Sequence, residues 1–598
     1  MSEYAAPLKD MQFVLRELCG FSDLAPPAGS EDLTEELVTS ILEEAGKFAA
    51  GVLSPLNGVG DREGARWQDG AVHTATGWRN AYGQFTAAGW NAMSCPSEFG
   101  GQALPRLVSA LVEEMWNGAN VAFALCPMLT RGAIEAIELC GTAEQKAVYL
   151  PRLISGEWTG TMNLTEPQAG SDLSAVRTRA VPQPDGSYRL HGQKIFITYG
   201  EHDLTANIVH LVLARTPDAP EGVKGISLFV VPKFLVNADG TAGARNDVRC
   251  VSIEHKLGIH GSPTAMLAFG DGEGAIGWLV GEENRGLEYM FVMMNAARYS
   301  VGLEGVGLCE RAYQRARDYA RDRTQGSELG VASRAKVAIV RHPDVRRMLL
   351  QMKSRTEALR ALACVIAAAT DAARSSADAH DRKRHQSFVD LMIPVLKGWS
   401  TETSVLVTSL GIQVHGGMGY VEETGAAQHF RDARITPIYE GTTGIQAADL
   451  IGRKILRDGG VAAGSVFSQM SQTQAQLARS DDELLSSVAV RLAEGIAALR
   501  ACVAFILASS PVDARVPAVG AAPFLELFGI VAGGWQMARA GLIAQQRMQE
   551  EGADVAFLRA KQLSVKFYAE HVLSQAPGLA QAVLHGAAAA LEYPDEIF

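Results

Sequence analysis

The chain has 598 residues, 47% of them hydrophobic and 20% charged, with a formal net charge of −12. That length is too great for one core and predicts about three to five domains of a globular protein. The acidic balance excludes a general polyanion binder, so nucleic acid is not an expected partner.

The opening Met1-Ser-Glu-Tyr-Ala-Ala-Pro has no basic stretch leading into an apolar one, so no signal peptide is expected. No window offers the ~18–20 uninterrupted apolar residues of a spanning helix. The eight cysteines (19, 95, 126, 140, 250, 309, 364 and 502) form neither CxxC nor metal-ligand spacings. They read as buried hydrophobes of a reducing compartment, which gives the cytoplasm as the expected location and no expected metal.

In chain order, apolar spacing near 3.6 over 33–52 and 108–139 predicts helices, with a loop at Cys95-Pro-Ser-Glu-Phe-Gly-Gly101 between them. From Trp158 to Val280 the texture becomes β-rich, with short runs at 188–190, 194–198, 208–214, 226–232, 248–253 and 265–269. Asp185-Gly186 signals a hairpin. Long helices return over 286–323, from Pro343 through 345–369, over 387–410 and over 445–456. A linker is read at 458–464, and amphipathic helices follow over 465–508 and 523–575, with a loop at 509–522. The expected division is an N-terminal extension (1–30), an N-terminal helical domain (31–157), a central β domain (158–280), a C-terminal four-helix bundle (281–458) and an additional helical domain (465–598).

Chemistry concentrates in a few stretches. Gln413-Val-His-Gly-Gly-Met-Gly-Tyr420 and Arg431-Asp-Ala-Arg-Ile-Thr-Pro-Ile-Tyr-Glu-Gly-Thr442 place one carboxylate, Glu440, between an aromatic and a Gly-Thr pair. Shielding by Ile438 and Tyr439 would raise its pKa from ~4.3 toward the range useful to a base. Thr165-Glu-Pro-Gln-Ala-Gly-Ser-Asp172 offers hydroxyls and backbone N–H groups to phosphates or a heterocycle edge. Gly192-Gln-Lys-Ile-Phe-Ile-Thr198 puts Phe196 and Thr198 on one strand face, an aromatic and a hydroxyl suited to a flat ring. Met290, Met293, Met294 and Tyr420 read as core, and His415 and His429 as structural.

These motifs, with Pro96-Ser-Glu-Phe-Gly-Gly101, resemble the acyl-CoA dehydrogenase family in content and order over about 31–456. The resemblance implies an α+β multidomain fold: an N-terminal helical domain, a central β-barrel-like domain and a C-terminal helical bundle. The appended helical domain is similar to that of a long bacterial subfamily, whose members act on 3-methylmercaptopropionyl-CoA or on fatty acyl-CoAs. The implied cofactor is FAD. Contacts to it are expected from Met162, Leu164, Thr165, Gly170 and Ser171, with Thr165 at the flavin and Ser171 at the pyrophosphate. Phe196 stands where a tryptophan is common beside the flavin, and Thr198 would lie near flavin N5. Gln413, Gly416, Gly417 and the Arg-x-Gln pair Arg323 and Gln325 would hold a neighbouring subunit's FAD, and Thr442 would add a further contact. Ser171, Arg298, Tyr439 and Gly441 are the expected substrate-binding residues.

Glu440 matches the catalytic base; the alternative position on the long helix is Ala297, which takes no proton. The implied reaction is α,β-dehydrogenation of an acyl-CoA to trans-2-enoyl-CoA in fatty-acid β-oxidation. Glu440 takes the α-proton, and the β-hydrogen leaves as hydride to flavin N5. The expected partners are an electron-transferring flavoprotein and a second copy in a homodimer, with a tetramer as the other arrangement. Gln168, Gly326 and Gly444 depart from the family pattern around the FAD contacts. An acyl-CoA oxidase using dioxygen and a non-catalytic flavin-binding assembly protein remain the alternative readings.

Overall fold

In the computed structural model, which describes residues 4–24, 29–30 and 32–598, a short helix α1 (Leu8–Phe13) opens the chain. Met1–Glu3, part of the stretch read for a leader, and Glu31, the expected start of the helical domain, lie outside the described residues. The described part of the expected extension is no peripheral arm. Tyr4, Met11, Val14, Leu15 and Leu18 are all buried in the main core, because their helical spacing makes one apolar face.

Helix α2 (Glu35–Phe48) is capped by Thr34, whose hydroxyl accepts the Leu37 N–H at 3.3 Å, and it buries Val38, Leu42 and Ala45. Helix α3 (Arg106–Cys140) is nearly all buried and kinks at Asn120 (φ −161°, ψ 87°). The Asn120 side chain accepts the Phe123 N–H at 3.1 Å and so caps the second half of the helix.

The central strands are β1 (Trp158–Asn163), β2 (Arg179–Pro182), β3 (Tyr188–Thr198), β4 (Asn207–Ala214), β5 (Ser227–Pro232), β6 (Val248–Ile253), β7 (Thr264–Phe269) and β8 (Ala275–Val280). They pair in the order β6–β7–β3–β8–β5–β4–β1, with β2 on β3; β1 and β4 run parallel and the other neighbours antiparallel. The expected Asp185-Gly186 hairpin joins β2 to β3, with Gly186 at φ 83°. Main-chain bonds from Ala180 N–H to the Arg215 carbonyl (2.8 Å) and from Arg215 N–H to the Thr178 carbonyl (2.9 Å) link β2 back to β4. The ring β2–β3–β8–β5–β4 is thereby closed around Leu190, Val212, Phe229 and Val231, which accounts for the barrel-like expectation.

Helices α4 (Gly286–Asp322), α5 (Pro343–Ser375) and α6 (Ala379–His415) form the bundle on α3, and the short α7 (Thr443–Asp449) follows the Glu440 loop. Close approach is set by glycines: a Cβ at Gly305 of α4 would fall 2.3 Å from Ser400 Oγ of α6.

The stretch read as a linker is only a turn at 458–460, with Gly459 and Gly460 at positive φ; helix α8 (Val461–Leu477) starts at once. Helices α9 (Glu483–Ser509), α10 (Ala521–Arg547), α11 (Val555–His571) and α12 (Ala576–His585) follow, with a short helix at Ala587–Glu592 behind them, and a short turn of helix at Arg515–Val519 interrupts the expected loop. Although no uninterrupted apolar run marks a span, α9 and α10 are long and apolar enough by composition to cross a membrane. In the fold their apolar sides are used for packing. Gly529 and Gly533 of α10 sit on the Trp399 ring of α6, where a Cβ would come within 2.2 and 2.4 Å. Tyr568 of α11 donates to the Ile530 carbonyl at 2.9 Å.

Candidate active site

Glu440 lies in a tight loop closed by the Thr443 N–H on the Pro437 carbonyl at 3.0 Å. Its backbone is left-handed (φ 54°), followed by Gly441 at φ 87°. An L-residue other than Gly, Asn or Asp holds that conformation only where its surroundings over-determine it. The surroundings here are polar and enclosed. Lys397 of α6, wholly buried, donates from Nζ to the Gly441 carbonyl at 2.6 Å. Gln446 donates to the carbonyls of Glu440 (3.2 Å) and Gly441 (3.3 Å). The Tyr439 hydroxyl donates to the buried Glu304 of α4, so it is committed to the protein. Among the described residues the Glu440 N–H donates to no acceptor.

The electrostatics follow from this enclosure. Burial raises the Glu440 carboxyl above its ordinary range, against the opposing pull of Lys397 and Arg298. Burial pushes Glu304 up to about 8, and it draws Lys397 down to about 8. Arg298, 4% exposed, pairs with Asp449 of α7 at 3.3 Å, and its Nε has no partner among the described residues. Its neighbour Ala297 is buried and brings no proton acceptor. Thr442 caps α7, accepting the Ile445 N–H at 3.2 Å.

A second group forms on the β domain. The Ile195 N–H donates to the Thr165 carbonyl at 2.9 Å, which seats the Thr165–Asp172 loop beside Phe196 and Thr198. Wholly buried Lys194 reinforces this, donating to the Leu164 carbonyl (3.0 Å) and to Glu166 (2.8 Å). Burial alone would raise Glu166, but Lys194, Thr178 and the Arg177 N–H hold it at about 2. Gly170 and Ser171 are exposed on the same loop. Met162 joins this group to the first, since it shares a hydrophobic cluster with Met293 and Ala297, while Leu164 packs at its edge. Phe196 is left-handed (φ 59°) and 59% exposed, an aromatic face outside every hydrophobic cluster of the described residues. That is the surface a flat heterocycle needs, and Thr198 beside it carries a hydroxyl for the ring edge.

The remaining candidates are elsewhere. Arg323 and Gln325 follow the far end of α4, roughly 37 Å along the helix from Arg298 at 1.5 Å per residue. Gln413, Gly416 and Gly417 are exposed at the end of α6 and join them, because His415 stacks on Tyr319 of α4 at 4.3 Å between centroids. A Cβ at Gly416 or Gly417 would meet nothing within 4 Å, so this end presents open backbone. His415 is structural in this sense, and burial lowers its pKa, as it does that of His429. Met290 and Met293 are core as expected, but Tyr420 is 87% exposed, since it ends a surface turn at Gly416–Tyr420. Sequence reasoning did not single out Glu304, Lys397, Glu166 or Lys194. The available signal was a lone charge inside an apolar run, as in Met392-Ile-Pro-Val-Leu-Lys-Gly398.

Models of the acyl-CoA dehydrogenase N-terminal, middle and C-terminal domains match residues 38–157, 161–271 and 284–456. An acetyl-CoA dehydrogenase C-terminal-like model matches 466–594. The chain is 48% identical over 570 residues to the 3-methylmercaptopropionyl-CoA dehydrogenase of Ruegeria pomeroyi, covering 95% of this chain and 96% of the relative. The chain belongs to the acyl-CoA dehydrogenase family. It is an FAD-dependent oxidoreductase of acyl-CoA thioesters. A broad-specificity linear acyl-CoA dehydrogenase of Mycobacterium tuberculosis is 34% identical over 593 residues, covering 96% of each chain. The dehydrogenase fold extends to the solved acyl-CoA dehydrogenase of Bacillus anthracis, complexed with FAD, with a TM-score of 0.73 at 22% identity over 96% of this chain and 91% of that one. The exposed Phe196 face and the loop seated beside it fit the flavin that this family carries.

Proposed function

We propose that this dehydrogenase oxidises an acyl-CoA between Cα and Cβ to the trans-2-enoyl-CoA, with Glu440 as the base. The observation that supports this most directly is the half-buried Glu440 in its left-handed loop, with burial raising its carboxyl against the pull of Lys397 and Arg298. A carboxylate whose pKa is displaced upward from ~4.3 is a stronger proton acceptor when ionised. The thioester carbonyl becomes more negative as the α-proton leaves. The unused Glu440 N–H is a preorganised donor for that oxygen. Bound FAD supplies the two-electron acceptor for the β-hydrogen. Thr165, Ser171, Phe196 and Thr198 would hold its flavin and pyrophosphate side.

The far group, Arg323, Gln325, Gln413, Gly416 and Gly417, stands at the opposite end of α4 from Arg298. It would meet the FAD of a second copy, which supports a homodimer. An electron-transferring flavoprotein in the cytoplasm is the proposed acceptor of the electrons. The substrate of the Ruegeria relative, 3-methylmercaptopropionyl-CoA, heads the panel of thioesters to try, followed by linear acyl-CoAs.

The test is an anaerobic titration of the FAD-loaded protein with that panel, following flavin absorbance. Bleaching by one thioester class is expected, and Glu440→Gln should retain FAD yet slow bleaching by about 10²–10⁴-fold. Unchanged bleaching in Glu440→Gln would remove Glu440 from the reaction. Tight FAD with no bleaching by any thioester would favour a non-catalytic flavoprotein.

A further inference from the structure

The two residues that flank Glu440 are each anchored by a buried ionisable side chain, and the anchors come from different helices. Tyr439 donates its hydroxyl to Glu304 of α4, and Gly441 accepts from Lys397 of α6 at 2.6 Å. Glu304 is 1% exposed and Lys397 is wholly buried. Each sits on a helix face that is otherwise apolar or small, where a hydrophobic side chain would avoid the desolvation that a buried carboxyl or ammonium suffers. Glu304 Oε1 has no hydrogen-bond partner among the described residues, so the hydrogen bond of this carboxyl is the one with Tyr439, with Lys397 acting on it through charge. Packing therefore gives no reason for either group, whereas the left-handed turn between their two contacts does need holding.

We propose that Glu304, acting through Tyr439, and Lys397, acting through Gly441, are positioning residues that clamp the Glu440 turn from both sides. The inference rests on Glu440 being the base. The clamp sets where the carboxylate stands relative to the α-proton, and a displacement near 1 Å is enough to slow such a transfer by up to about a hundredfold. Burial keeps Glu304 protonated near neutral pH, so no second negative charge stands beside Glu440. A glutamine, neutral and of the same shape, preserves the acceptor for Tyr439.

The experiment follows exchange of the α-protons of phenylacetyl-CoA with D2O by NMR on the FAD-loaded enzyme. This thioester has no β-hydrogen, so exchange reports the base apart from hydride transfer. Tyr439→Phe and Glu304→Ala should each slow exchange about tenfold, with KM for the thioester near that of the parent. The double variant should lose no more than either single one, because both remove one contact. Glu304→Gln should restore exchange to within about threefold of the parent, and Lys397→Met should slow it at least as much as Tyr439→Phe. Singles that exchange like the parent, or losses that multiply in the double variant, overturn the clamp. Should Glu304→Ala fail to fold, Tyr439→Phe and Glu304→Gln decide the matter by the same criteria. Glu440→Gln separates the two readings: if it exchanges like the parent, the base assignment fails. If it alone loses exchange, the base stands and the clamp fails.

Discussion

Arg360 of α5 reaches across 350 positions of sequence to Asp10 near the N-terminus, its Nη1 donating to Oδ2 at 2.6 Å. The same guanidinium binds Glu114 of α3 and Glu310 of α4, the latter at 2.7 Å. Lys561 of α11 binds Asp10 as well, and Glu357 of α5 at 2.8 Å. One buried ionic set thus joins the N-terminal segment, the bundle and the appended helices, and Arg360 is 1% exposed within it.

Removing one member of such a set leaves the others buried and unpaired. Arg360→Ala is expected to cost about 3–5 kcal/mol, read as a lowered urea midpoint at pH 7. A midpoint unchanged from the parent would show that Glu114, Glu310 and Asp10 find other compensation.

The Asp10 carboxyl fixes a pH dependence. Burial would raise its pKa, but Lys561 and Arg360 hold it well below the usual carboxylate range. A depressed folded-state pKa gives stability that is present above the unfolded value of about 3.8 and lost as pH falls below it. Asp10→Asn should therefore be less stable than the parent at pH 6, and the gap should narrow steadily as pH falls from 4 to 2. Thermal unfolding across that range checks it, and a constant gap would contradict the sign.

For activity the direction is the opposite. Glu440 is raised, so as the proposed base it is lost by protonation at a higher pH than an ordinary glutamate would allow. The rate of flavin reduction should fall as pH drops toward its raised pKa, with a midpoint above 4.5, the ordinary value for the residue. A rate that is level down to pH 4.5 would contradict an enclosed base.

Gly533 of α10 rests on Trp399, two residues beyond Lys397. Gly533→Leu forces a side chain into a contact with no space and should cost about 1–3 kcal/mol of stability. The comparison is with Gly578→Leu in α12, where a Cβ meets nothing within 4 Å and little change is expected. Equal melting temperatures for the two variants would argue against this docking.

Phe196 supplies a contrast between stability and cofactor retention. Its ring is 59% exposed and packs in no cluster of the described residues, so Phe196→Ala should move the unfolding free energy of the FAD-free protein by less than about 0.5 kcal/mol. FAD affinity should weaken by about 1 kcal/mol if the ring faces the flavin. Isothermal titration with FAD measures this, and an unaltered Kd would place the flavin elsewhere.

Much of this protein was legible in sequence because its signals are local. The α–β–α order, the run from Gly286 to Arg323, the Asp185-Gly186 hairpin and the Glu440 motif are written in spacing, glycines and turn residues, which act within a few residues of themselves. The 458–464 stretch misled for the same reason. Its glycines mark a turn, but only three residues of it are turn, because Ala463 and Val466 bury and pull the helix start forward.

What only the tertiary structure decided depends on residues far apart in sequence. The burial of Tyr4, Met11, Val14, Leu15 and Leu18 in the main core, the pairing of Asp10 with Arg360, and the approach of Glu304 and Lys397 to the two sides of Glu440 were not legible in the sequence. A charged residue in an apolar run is the same letter whether it meets solvent or a partner 135 positions away, as Glu304 meets Tyr439. The sequence by itself determined the α–β–α order of the segments and marked Glu440 as the carboxylate of the Tyr439–Gly441 turn. Burial and Coulomb forces, which act through space and not along the chain, decided how that carboxylate is held and how far its pKa is displaced.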